Sequence, residues 1–108
     1  MNQIGLTGRL TRVPELRSTR SGEGVCAMRL AVDGPEEADT VFVDVAAFGP
    51  LAGNCAEYLD QGRAVAVAGR LHYSEWETPD GQKRSKHEVI AHAIDFLSGA
   101  RREAGGES

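Results

Sequence analysis

Alternation of apolar and polar residues runs through most of this chain and predicts five β-strands with one helical interval. Residues 3–10 alternate through Ile4, Leu6, Gly8 and Leu10, then meet a turn at Pro14. The Ser18 to Gly24 stretch is polar and glycine-rich, which makes it a hairpin loop with Arg20 near its tip, and Val25 to Val32 reads as the returning strand. A short loop over Asp33 to Asp39, with Gly34-Pro35 inside it, leads to the clearest strand, Thr40 to Phe48. There Val41, Val43, Val45 and Ala47 share one face, and Phe42, Asp44, Ala46 and Phe48 share the other. Gly49-Pro50 breaks that strand. Leu51 to Leu59 carries Leu51, Cys55, Tyr58 and Leu59 at helical spacing, and Gly62 stops a short helix.

Alternation resumes from Ala64 to Trp76. Val65, Val67, Gly69, Leu71 and Tyr73 point one way; Ala66, Ala68, Arg70, His72, Ser74 and Trp76 point the other. Pro79-Asp80-Gly81 turns the chain, so residues 70–90 form a long hairpin with a charged tip, and Glu88 to Leu97 is the last strand. Three strands, one short helix and two more strands is the order of a five-stranded OB-fold, a Greek-key barrel. An SH3-like barrel lacks the intervening helix. The expected organisation is one domain over 1–97 and a structureless tail over 98–108, rich in Gly and charge.

Composition narrows the class. The chain has 108 residues, enough for one domain, with 41% hydrophobic and 26% charged residues, as in a soluble globular protein. No apolar run approaches the roughly 20 residues a spanning helix needs, and no leader pattern opens the chain; a cytoplasmic location is expected. Cys26 and Cys55 lack metal-ligand or redox spacing and read as buried structural thiols. Net charge is -4, but its distribution is uneven. Residues 1–35 balance at +2, residues 36–60 at -6 with no Lys or Arg, and residues 61–108 at zero with Lys83, Arg84 and Lys86 clustered. An anion-binding surface would therefore come from the two ends of the chain.

The Thr40 to Phe48 strand raises a specific question. With the valine face in the core, Phe42 and Phe48 lie outward beside Asp44, so something should cover them: the helix, another subunit, or a nucleobase. Trp76 also falls on a polar strand face, with Arg70 and His72; the structural alternative is a half-buried prop for the hairpin base. Aromatics interleaved with basic residues on one sheet face are what a groove for single strands requires.

Three runs carry a family resemblance. Gly8-Arg9-Leu10-Thr11-Arg12-Val13-Pro14-Glu15-Leu16-Arg17 resembles the G-R-L-T-x-D-P-E-L-R opening of bacterial single-stranded DNA-binding proteins. Phe48-Gly49-Pro50-Leu51-Ala52 with Ala56-Glu57-Tyr58-Leu59 is similar to that family's F/W-G-K-x-A-E-x-x-x-x-Y-L run. Gly69-Arg70-Leu71 with Trp76 and Asp80-Gly81-Gln82 is similar to its G-R-L-x-x-x-x-W/Y-x-x-x-G hairpin, and the match is colinear over residues 1–97. The resemblance implies an OB-fold, homotetramer assembly, no catalysis, and base stacking at Phe42, Phe48 and Trp76. A role in replication, recombination or repair follows with it. Phosphate contacts are expected from Arg9, Arg12, Arg17, Arg20, Arg70, Lys83, Arg84 and Lys86, with His72 also on the nucleic-acid-binding surface; strand parity also fits Arg9 to a subunit contact.

The departures from the family pattern lower the positive charge. Asp60-Gln61 stands where many members have a basic pair, Pro50 follows the Phe-Gly step, and Asp44, His72 and Ser74 take positions that are commonly basic or polar. Each lost phosphate contact weakens binding and flattens its salt dependence. The sequence ends without the acidic Pro-Phe tip by which family members recruit replication and repair enzymes, which fits either a trimmed chain or a paralogue that binds DNA without recruiting partners; recruitment by these residues themselves is not expected. Two readings stay open: a sequence-independent single-stranded DNA binder, and a diverged OB-fold interaction module that co-assembles with a full-length relative. RNA remains an open ligand, because stacking alone does not distinguish the sugars. His72, His87 and His92 lie on strand patterns without ligand spacing, His87 and His92 on opposite faces of an unbroken strand, and no G-x-S-x-G or phosphate-cradling glycine run is present. No catalytic residue, metal or cofactor is expected.

Overall fold

The computed structural model describes residues 1–97. It contains strands β1 (Ile4–Leu10), β2 (Glu15–Ser18), β3 (Gly24–Val32), β4 (Val41–Phe48), β5 (Ala64–Glu77) and β6 (Lys83–Phe96). Helix α1 (Pro50–Tyr58) lies between β4 and β5, and a 3-10 turn over Glu37–Asp39 precedes β4. The expectation of a structureless tail over 98–108 lies outside the described residues.

The strands pair in the order β1-β5-β6-β4-β3, and β1 returns to β3, so five of them close an OB-fold barrel. All pairings are antiparallel except β4 with β6, which are parallel with Ala46 opposite Ile90. Val45 and Val65, on the faces read from alternation, are buried in the core together with Leu30 and Val89, and α1 closes one end through Ala52 and Cys55. Fully burying side chains of this size contributes about 1.5–3 kcal/mol each. Both thiols are buried as expected. Burial pushes the Cys26 thiol up, and burial together with nearby Cys26 pushes Cys55 up to about 11, so neither is a reactive thiolate at neutral pH.

Three elements differ from the alternation reading. A sixth strand, β2, occupies Glu15–Ser18, between the Pro14 turn and the hairpin loop of the alternation reading, where no strand is expected. It pairs with the same edge of β3 that Arg9 and Leu10 of β1 use, with Leu16 opposite Cys26, so β1 and β2 are two halves of one bent strand. The break between them falls at Pro14, which has no N–H to give the sheet. The last strand begins at Lys83 rather than Glu88, because the β5–β6 hairpin stays paired out to Glu77 and Lys83. Nor is that strand unbroken. Ala68 pairs with Ala93 but Gly69 with Ala91, which leaves His92 as the extra residue of a bulge.

The two Gly-Arg-Leu runs share one physical cause. A Cβ on Gly8 would lie 2.6 Å from the Ala31 carbonyl oxygen, and one on Gly69 would lie 2.2 Å from that of Ile90. Each glycine allows a neighbouring backbone to approach where the sheet curls into a barrel. The arginine that follows is exposed in both runs.

The hairpin tip is organised by Thr78. Its hydroxyl donates to the Asp80 carboxylate, and its backbone N–H donates to the Gln82 carbonyl at 2.8 Å. The hydroxyl bond lowers the Asp80 carboxyl below its ordinary value. A depressed carboxyl adds stability at neutral pH, and that stability is lost as pH falls through the depressed value. Thr78→Val is expected to let Asp80 titrate at a higher pH, closer to an ordinary aspartate; an NMR titration of the Asp80 side chain checks this.

Candidate nucleic-acid interface

Cross-strand partners share a sheet face, so the register maps the outward surface row by row. One row runs Arg17 on β2, Val25 on β3 and Phe48 on β4. The next runs Glu15, Ala27, Ala46, Ile90 and Arg70 across β2, β3, β4, β6 and β5. Arg29 opposite Asp44 and Glu88 opposite His72 follow, with Lys86 reaching Asp44 from the β6 side. Beyond them Arg9, Ala31 and Phe42 stand in line, with Lys86 opposite Ser74 on the hairpin. Trp76 and Arg84 complete the surface far along the hairpin.

All three aromatics proposed from alternation therefore lie on one continuous face. Phe42 is 55% exposed, Trp76 47% and Phe48 37%. Neither the helix nor the barrel covers Phe42, and Trp76 keeps about half of its surface exposed. Exposed aromatic rings interleaved with cations on a sheet suit flat, anionic polymers: a ring offers a stacking platform, a guanidinium or ammonium neutralises phosphate.

The cations divide into three groups. Arg9, Arg17, Arg70, Arg84 and Lys86 are on the aromatic face; Arg12 and Arg20 sit at its margin, in the β1–β2 bend and the β2–β3 turn. Lys83 is different. It pairs with Glu77 one residue out of phase with Arg84 and Trp76, so it projects from the opposite face of the hairpin. It still lines a shallow depression of about 200 Å³ with Glu75, Glu77 and Trp76. His72 lies on the aromatic face opposite Glu88, partly covered.

Several of these charges are already engaged. Arg17 is 2.5 Å from Glu15, Arg29 is 2.9 Å from Asp44, and Lys86 is 3.5 Å from Asp44 and 3.7 Å from Glu88. Arg84 donates to the Gln82 side-chain oxygen at 3.1 Å. Among the described residues, Arg9 and Arg70 make no ion pair. Arg29 is the surface residue that alternation did not single out; its guanidinium lies 5.6 Å from the Phe42 ring centroid. Its one sequence signal was an arginine at an outward position of an otherwise apolar strand.

Among the described residues there is no group of three or more His, Cys, Asp or Glu that could hold a metal. No helix among them is long and apolar enough to cross a membrane.

A small OB-fold barrel with one aromatic and basic sheet face defines the class of this protein. Comparison with known proteins narrows it further. The model of the single-strand binding protein family matches residues 1–97, and the chain belongs to that family. It is 42% identical over 103 residues to a single-stranded DNA-binding protein of Thermotoga maritima, a match covering 89% of this chain and 73% of that one. Single-stranded DNA-binding protein 1 of Staphylococcus aureus is 41% identical over 104 residues, covering 90% of this chain and 65%, just under two thirds, of its own length. A Clostridium tetani single-stranded DNA-binding protein is 35% identical over 113 residues, 98% of this chain and 77% of its own.

Proposed function

We propose that this chain binds single-stranded DNA without sequence preference and acts non-catalytically in replication, recombination or repair. Residues 1–97 form the binding domain. Bases stack on Phe42, Phe48 and Trp76, while Arg9, Arg17, Arg70, Arg84 and Lys86 face the phosphates, with His72 beside them. Arg12 and Arg20 extend the path at its margin, and Lys83 contributes from the far side of the hairpin. One OB barrel contacts only a few nucleotides, so assembly into a homotetramer gives a longer wrapped path. The cytoplasm, in association with the nucleoid, is the location this role implies.

The observation that carries the proposal is the alignment of the three exposed aromatics on one face, among cations from β1, β2, β5 and β6. Family membership and the names of the similar proteins support the same ligand.

Trp76 is the single tryptophan of the chain, so its fluorescence reports one position. Titration with oligo-dT is expected to quench it strongly and saturably, at low and at moderate salt. Absence of quenching at both salts, with the protein folded, would remove Trp76 as a stacking platform. The chain would then read as an interaction module that kept the barrel and lost the ligand.

A further inference from the structure

The centre of the aromatic face is built around one carboxylate. Asp44 projects outward from β4, with β3 on one side and β6 on the other. Its Oδ1 accepts a hydrogen bond from Arg29 Nη1 at 2.9 Å, and its Oδ2 lies 3.5 Å from Lys86 Nζ. Lys86 is also 3.7 Å from Glu88. Two cations from flanking strands thus converge on two oxygens of one anion. The arginine lies 5.6 Å from the centroid of Phe42, the most exposed aromatic of the face.

A phosphodiester beside a base stacked on Phe42 would present the same chemistry: two anionic oxygens on one centre. Arg29 and Lys86 are where such a group would be held. We propose that Asp44 is a built-in competitor for that phosphate, filling the seat between Arg29 and Lys86 and thereby setting how strongly binding depends on salt. The inference rests on the reading of this face as the surface for single-stranded DNA.

The geometry separates this role from one in folding. The side chains of Arg29, Asp44 and Lys86 keep 39%, 27% and 41% of their exposure, and ion pairs this wet contribute little to stability. Their effect on an incoming polyanion is larger. A cation already neutralised by a carboxylate has no condensed phosphate charge to gain without giving up its partner, and the carboxylate itself repels the strand. With Asp44 and Glu88 both present, the four charges at the centre of the face cancel. Removing the Asp44 charge frees one cation outright and loosens the second.

The test is the binding of a dye-labelled oligo-dT, followed by anisotropy from roughly 50 to 300 mM NaCl. Anisotropy does not depend on stacking at Trp76. For single strands each phosphate contact adds about 0.7 to the slope of log K against log salt, so Asp44→Asn is expected to steepen it by about 0.7–1.4. Because such a gain vanishes near 1 M salt, the variant should bind about 5- to 25-fold more tightly at ~0.1 M. Adding Lys86→Gln to Asp44→Asn should take back about 0.7 of that slope. Asp44→Ser, which removes the charge without introducing an amide, must act in the same direction, and matched thermal melts establish that each variant is folded. Wild-type slope and affinity in both Asp44 variants, or weaker binding, would overturn the proposal; the weaker result would make Asp44 a positioning residue for Arg29. If neither wild type nor variants bind at 50 mM, the single-strand reading of the face itself fails and this inference falls with it.

Discussion

Replacing Phe42 and Trp76 together with alanine is expected to weaken oligo-dT binding by about 2–6 kcal/mol, at little cost to folding. Each ring is a platform worth about 1–3 kcal/mol per stacked base, and the two sit on different strands with β6 between them. Without shared partners their losses should add. Both rings are roughly half exposed, so neither supplies the core contacts whose removal unfolds a barrel. The comparison to make is binding by anisotropy beside thermal melts of both single variants and the double. A Trp76→Ala variant that unfolds would show that the ring props the hairpin. Losses well short of additivity would show one base bridging both rings.

Where the burial pattern decides structure, the sequence was readable. The valines of β4 and β5 identified the inward face within the barrel, at Val45, Val65 and Val67, but not at the strand ends, where Val41, Leu71 and Tyr73 stay exposed; the outward aromatics followed from parity alone. β2 was not readable, because all four of its residues are exposed and carry no apolar period. It is a strand only because the edge of β3 beyond Leu30 is open for pairing. The bulge at His92 likewise leaves no local mark. It answers the tight passage of Gly69 past Ile90 on the neighbouring strand.

The candidate site divides the same way. Exposure of Phe42, Phe48 and Trp76 is a local property of alternation. The side of the hairpin that Lys83 takes depends on how many residues the turn after Pro79 consumes, which composition does not reveal. The pairing of Arg29 with Asp44 joins residues 15 apart in the chain and needs the register of β3 against β4. Counting arginines therefore overstated the free positive charge of the face. The missing positions are only part of the deficit; acids on β2, β4 and β6 neutralise much of what remains.

Gly69→Ala should be the most damaging single-methyl change among the glycines, costing about 3 kcal/mol, the upper end of what overpacking typically costs. The new Cβ would lie 2.2 Å from the Ile90 carbonyl oxygen, 2.9 Å from its carbon and 3.0 Å from the Ala91 Cα. All three neighbours are backbone, so no side chain can rotate out of the way; β5 and β6 would have to separate at the point where the bulge sets the course of the hairpin. In a domain of about 100 residues such a loss lowers the melting temperature by more than ~10 °C, read at fixed protein concentration because assembly would also shift it. Gly5→Ala is the control, since a Cβ there meets nothing within 4 Å, and it should melt like the wild type. The variant also tests how the fold serves the site. Arg70 is the next residue and Trp76 lies seven positions beyond Gly69 on the same strand, so a displaced hairpin carries both away from Phe42 and Phe48. Oligo-dT binding by the folded fraction of Gly69→Ala is therefore expected to fall as well; full affinity in a destabilised protein would show that the face tolerates a shift of the hairpin.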